Sequence, residues 1–143
     1  MNETMGDVCR ELQRVTEASF IAIAEWDGET RKIKWTYALN PMTDKYKRME
    51  ISYGYGVAGK VMQTGRPFAC KHRNQLTDEI TKYPIILAEK LQSFLAVPLV
   101  NTKIFDSVLL IGYRESHPLP DTQILQEYLT RIVSQLKRKE ALS

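Results

Sequence analysis

Three glycines, Gly54, Gly56 and Gly59, stand in a Gly-x-Gly-x-x-Gly spacing at the entry to a segment, Val57 to Thr64, that reads as a short helix. A dinucleotide fold needs a full crossover helix and a second parallel strand about 30 residues further on. Here Gly65 stops the helix and Pro67 restarts an extended segment, which leaves no room for one. The pattern is instead a sharp turn into a helix whose first amides, at Val57 and Ala58, have no acceptor within it. Such an N-terminus attracts anions. A tight turn with solvated amides is the competing reading, and the local sequence leaves both open. Trp35 and Tyr83 each carry a polar hydrogen that needs a partner when buried. For Trp35, simple core filling is the alternative.

Catalytic groups are sparse. His72 lies between Lys71 and Arg73, and His117 precedes Pro118 near a turn, so both read as surface-loop histidines. Asp78-Glu79 sits in a polar stretch with no partner of fixed geometry, and nothing pairs a nucleophile with a base. Cys9 and Cys70 are too few for a Cys-rich metal or iron–sulfur site, and nothing calls for pairing them.

The elements that position these residues follow from periodicity. Met5, Val8, Leu12 and Val15 make one helical stripe between Asn2 and Ala18. A β-rich run, Ser19–Trp26, turns at Asp27-Gly28 into Lys32–Leu39, where Ile33, Trp35, Tyr37 and Leu39 alternate with Lys and Thr and are expected on one inward face. Met49–Tyr53 is a short strand leading into the glycine turn, and Pro67–Lys71 another after it. Residues 72–83 read as loop or one irregular turn, and Ile85–Leu91 as a brief helix after Pro84. Ser93–Val100 and Lys103–Tyr113 are the strongest strands; Pro98 predicts an edge or a bulge in the first. Asp121 caps a long helix to Leu142 with a wide apolar stripe and with Lys137, Arg138 and Lys139 at its C-terminal end. Helix, hairpin, strand, short helix, strand, loop, hairpin, helix is most simply an α+β fold: an antiparallel sheet with helices packed on one face.

Composition bounds the rest. A chain of 143 residues, 43% hydrophobic and 26% charged, suffices for one domain with one real core. No apolar run reaches the about 18–20 residues of a membrane span, and the polar, acidic start is not expected to act as a signal peptide. A cytoplasmic protein is expected. The net charge of +3 is spread along the chain, without the basic stripe or reading helix of a nucleic-acid binder.

At Ile51-Ser-Tyr-Gly-Tyr-Gly-Val-Ala-Gly-Lys-Val-Met-Gln-Thr-Gly-Arg-Pro67 and Leu91-Gln-Ser-Phe-Leu-Ala-Val-Pro-Leu99 the chain resembles a GAF domain. The first segment matches that family's strand, glycine turn, short helix and Thr-Gly-x-Pro, and the second its S-x-L-x-V-P-L strand. One departure is Asp106-Ser107, where many GAF domains have a glycine before the last strand. The resemblance covers essentially the whole chain and implies a single GAF domain over 1–143. Its terminal helices would pack on one face of the sheet and its ligand pocket would lie on the other.

Within the family, Lys32-Ile-Lys-Trp-Thr-Tyr37, Tyr46-Lys-Arg48, Tyr83-Pro-Ile-Ile86 and Glu89–Ala96 are similar to bacterial nitrate receptors. That resemblance implies a non-enzymatic nitrate sensor, without a cofactor, that modulates a partner sensor histidine kinase and so regulates nitrate respiration genes. The implied nitrate contacts fall on Trp35, Val57, Ala58, Tyr83 and Ile85, with Val57 where the family has leucine. Because that contact is through a backbone amide, the exchange is tolerable. The terminal-helix stripes (Val8, Leu12, Val15; Leu125, Leu129, Ile132, Leu136) are the expected surface for the partner or for a homodimer. Another small ligand, or a ligand-independent interaction module, is the alternative. The free methionine sulfoxide reductases share the fold but rely on cysteines in the glycine turn and the following loop, where this chain has Ala58 and only Cys70 nearby on a strand. The cyclic-nucleotide pattern and the bilin cysteine context are missing as well.

Overall fold

A computed structural model describes residues 3–101 and 104–141. Asn2, Lys103 and Leu142, expected at the ends of a helix, a strand and a helix, lie outside the described residues. The elements run α1 (Met5–Thr16), β1 (Phe20–Asp27), β2 (Lys32–Leu39), β3 (Glu50–Ile51), α2 (Gly56–Thr64), β4 (Phe68–Cys70), α3 (Pro84–Ala88), β5 (Ser93–Asn101), β6 (Ile104–Tyr113) and α4 (Thr122–Ala141). Single 3-10 turns occupy Lys45–Arg48, Arg73–Gln75 and Ile80–Lys82. The strands form one antiparallel sheet in the order β3-β2-β1-β6-β5-β4.

Alternation along β1 divides the core between the two faces of this sheet. Ile21 and Ile23 join Val8, Cys9 and Leu12 of α1 and Leu125, Ile132 and Leu136 of α4 in one buried layer. Phe20, Ala22 and Ala24 face the other way, onto α2 and α3. The terminal helices therefore pack together on one face, as expected. Most of the apolar stripe assigned to partner contact is consumed by this packing, because α1 and α4 must cover the four central strands. Val15 departs from the expected stripe: it is exposed, and Cys9 takes the inward place. Arg131 of α4 joins the two helices by pairing with Glu3 and, at 2.6 Å, with Glu11.

The expected single inward face of β2 does not form. Ile23 opposes Tyr37 while Ala24 opposes Trp35, so Thr36 is an extra residue without a partner. Such a bulge reverses the faces on either side of it. Ile33 and Trp35 lie in the layer with α2, whereas Tyr37 and Leu39 pack against the layer with α1 and α4. Strand β3 is shorter than expected because the glycine turn begins at Ser52, whose carbonyl accepts from Tyr55 N at 3.0 Å. Helix α3 starts at Pro84 and stops at Ala88, since Lys90 is left-handed (φ 54°). Pro98 pairs with Val108 of β6 only, because β4 ends its pairing at Ala96; its other side is an edge. Asp121 does cap α4, accepting from Gln123 N at 2.9 Å.

Candidate functional site

The entry to α2 is built by its glycines. Gly54 and Gly56 have φ of 85° and 63°, a region L side chains rarely adopt. Gly59 is needed for closeness: a Cβ there would lie 2.5 Å from the Ser52 carbonyl oxygen and 3.1 Å from Gly54 N. Gly54 N donates to the Gly59 carbonyl at 3.0 Å, so the turn folds back over the first helical turn. The helix begins at Gly56, one residue before the expected start. Its N-cap, Tyr55, offers no side-chain acceptor, so the opening amides at Gly56, Val57 and Ala58 are uncapped by any side chain.

Trp35 approaches the same layer from β2. It is 3% exposed, and its Nε1–H has no acceptor. A buried donor left unpaired costs about 1–3 kcal/mol. Tyr83 caps α3, its ring edge-on to Phe68 at 5.8 Å between centroids, and Ile85 follows in the first turn of that helix. All five expected residues, Trp35, Val57, Ala58, Tyr83 and Ile85, are buried in one contiguous cluster.

Of two charged residues at this cluster, the sequence reading passed over Lys60 and presented Asp78 as unpartnered. Lys60 Nζ donates to Asp78 Oδ2 and to Tyr83 Oη, both at 2.8 Å, and Tyr83 Oη donates to Asp78 Oδ2 at 3.0 Å. Asp78 therefore has partners of fixed geometry, contrary to expectation. The Tyr83 hydroxyl is committed to its carboxylate and is not a free donor. The Lys60 ammonium beside Asp78, helped by the tyrosine hydroxyl, holds that carboxyl below its ordinary range, and the same contacts push the Lys60 ammonium up. One signal was available: Lys60 is the lone charged residue of α2. Its partner lies 18 residues away in an unpatterned loop, where no periodicity points to it.

A second polar cluster ties the far end of α3 to the sheet. Arg114 donates from Nη2 to Glu89 Oε1 at 2.5 Å, and from Nε and Nη1 to the carbonyls of Glu89 and Ser19. Glu89 Oε1 also accepts from Met42 N, while Oε2 is buried and unpartnered. The histidines are engaged structurally: His72 Nδ1 accepts from Asn74 N, and His117 stacks on Tyr113 at 4.2 Å. Cys9 and Cys70 are free thiols in opposite layers of the core. Burial pushes the Cys9 thiol up to about 12 and raises that of Cys70. Among the described residues no group of three His, Cys, Asp or Glu is placed to hold a metal ion, and no helix is long and apolar enough to cross a membrane.

The uncapped start of α2 and the orphan indole N–H are neutral donors in one buried cluster, with Val57 and Ile85 among its apolar members and no buried cation. That donor set suits a monoanion with little charge per oxygen.

Comparison with known proteins agrees on the architecture. No protein-family model and no curated protein matches the chain. Solved structures do. A hypothetical protein, SA1058, from Staphylococcus aureus is 33% identical, with a TM-score of 0.72 over 78% of this chain and 93% of its own. NreA of Staphylococcus aureus, in a form mutated in its nitrate-binding site, is 32% identical, with a TM-score of 0.71 over 78% of this chain and 83% of its own. The GAF domain of a phosphoenolpyruvate-protein phosphotransferase from Coxiella burnetii, 15% identical, shares the fold with a TM-score of 0.73 over 96% of this chain and 80% of its own.

Proposed function

The chain belongs to the GAF domains, among their NreA-like members, and from that premise we propose that it is a nitrate receptor that acts by binding rather than by catalysis. The observation that carries this reading is the buried indole N–H of Trp35, without an acceptor, in the same cluster as the uncapped start of α2. Nitrate is a planar, weakly basic monoanion. The indole and the amides of Val57 and Ala58 each donate to an oxygen, while Tyr83 and Ile85 supply the apolar wall that keeps water from these charge-assisted bonds. Tyr83 contributes its ring, since its hydroxyl is spoken for. Sulfate, with twice the charge and no buried cation to offset it, is rejected by its desolvation cost.

Output passes through a partner, for which the resemblance implies a sensor histidine kinase controlling nitrate respiration genes. Nitrate shifts that interaction only through a different affinity for the free and the partner-bound receptor.

Titration calorimetry tests the binding reading. Sodium nitrate is expected to give saturable heat with one site per chain, sodium sulfate and chloride none. Trp35→Phe removes one donor to an anion, a loss of about 1.5–3 kcal/mol, so its affinity falls roughly 10–100-fold. Heat from nitrate no different from chloride, or unchanged affinity in a folded Trp35→Phe, overturns it.

A further inference from the structure

Every residue of the proposed nitrate site is at most 3% exposed, so an anion reaches it only when part of its cover moves. The segment from Leu76 to Tyr83 is the cover with the least to hold it. Leu76 and Ile80 pack against the cluster, and Tyr83 belongs to it. The backbone bonds of this segment are local: Leu76 N to Arg73 O, Lys82 N to Glu79 O, Tyr83 N to Ile80 O. Among the described residues the backbone of 76–83 is bonded outside itself only to the adjoining turn at Arg73 and to α3, and its side chains reach one polar atom outside the segment, Lys60 Nζ. That ammonium also lies 5.0 Å over the Tyr83 ring. Lys60 rises from α2, the helix whose first amides open the site, so this contact straps the segment to the helix that would hold the anion.

We propose that Lys60 and Asp78 are positioning residues that latch segment 76–83 over the site and set the rate at which the anion enters and leaves. This rests on the nitrate-site reading. The latch works through Tyr83: with both partners in place its buried hydroxyl is satisfied and its ring stays edge-on to Phe68. With either partner removed, the hydroxyl is drawn toward water and carries the start of α3 with it. The side chains of Lys60 and Asp78 are 37% and 34% exposed, so they are replaceable without opening the core. A latch of this kind changes entry and exit together and the equilibrium little.

The test uses Trp26→Phe as parent, which leaves Trp35 as the sole indole reporter. Rapid mixing with sodium nitrate gives both rate constants. In Asp78→Ala and Lys60→Met both are expected to rise about tenfold, the value of one lost charge-assisted bond, while Kd moves less than about threefold. Lys60→Arg, which keeps a donor to both partners, returns the rates to near the parent. Unchanged rates overturn the latch. So does a faster exit alone with Kd weakened in proportion, which makes the pair a direct support of bound nitrate. Hydrogen exchange without nitrate gives the second readout: the amides of Lys82 and Tyr83 exchange faster in Asp78→Ala while those of β6 stay protected. If the parent binds no nitrate, the site reading fails, and the latch stands or falls on that exchange alone.

Discussion

The Gly59 position shows how tightly single atoms are specified at the site. A methyl there meets backbone, the Ser52 carbonyl oxygen at 2.5 Å, which cannot move without undoing the glycine turn. A methyl on Gly112 meets Leu91 Cδ1 at 2.5 Å and Cδ2 at 2.9 Å, side-chain atoms that can give further than a backbone carbonyl held in a turn. Gly59→Ala is therefore expected to cost about 2–3 kcal/mol or more and Gly112→Ala clearly less, within the range for overpacked cores; urea unfolding of the two variants gives the order. Equal costs contradict the backbone clash. At this scale the sequence was informative where the chain is locally constrained. Val57 and Ala58 follow from glycine spacing, which any turn into a helix N-terminus would share. Trp35 and Tyr83 were legible as large residues with a polar hydrogen. Lys60 with Asp78, and Glu89 with Arg114, were not, because each pair is joined by tertiary contact across 18 and 25 residues with no repeating pattern between.

Strand β2 carries the chief lesson at the level of elements. Lys32–Leu39 alternates without a flaw, yet Thr36 bulges and the strand serves both faces. The reason lies in its partner: β1 offers Ile21 and Ile23 to one layer and Ala22 and Ala24 to the other, and β2 must meet both. The small alanines leave room for the indole of Trp35, while Tyr37 and Leu39 pack beside the isoleucines. Nothing inside β2 signals this. Deleting Thr36 removes the extra residue and leaves Trp35 opposite Ala24 and Tyr37 opposite Ile23 in regular pairing, so Ile33 and Trp35 keep one layer and Tyr37 and Leu39 the other. With the burial of all four apolar side chains kept, the melting temperature should change by less than about 5 °C. A deletion that costs roughly 10 °C or more, as expected if all four side chains shared one face and two were turned away, contradicts the assigned register. Helix ends were read more closely, since caps are local: Asp121 and Gly65 bound α4 and α2 as expected.

For the molecule as a whole, one sheet separates two layers. One holds the paired terminal helices, the other the proposed site, and each contains one cysteine. Cys9 is fully buried with its thiol raised to about 12, and Cys70 is buried in the opposite layer with its thiol also raised, so burial disfavours the thiolate at both. A chromogenic disulfide reagent at pH 8 should label no thiol in the native protein and two after unfolding; rapid native labelling contradicts the placement. The fold class was legible because the order of elements and two long motifs act together along the chain, whereas the loss of the helix stripe as a docking surface was not. Periodicity reports that a face is apolar and is silent on what covers it. The most direct test of nitrate recognition is thermal unfolding with sodium nitrate exchanged for chloride at constant ionic strength, in the parent and in Trp35→Phe. At about 100 times Kd, linkage stabilises the parent by about 2.7 kcal/mol, roughly 5–10 °C, and the shift largely disappears in Trp35→Phe. A parent indifferent to which anion is present, or a Trp35→Phe variant stabilised as strongly, contradicts the assignment of nitrate to this site.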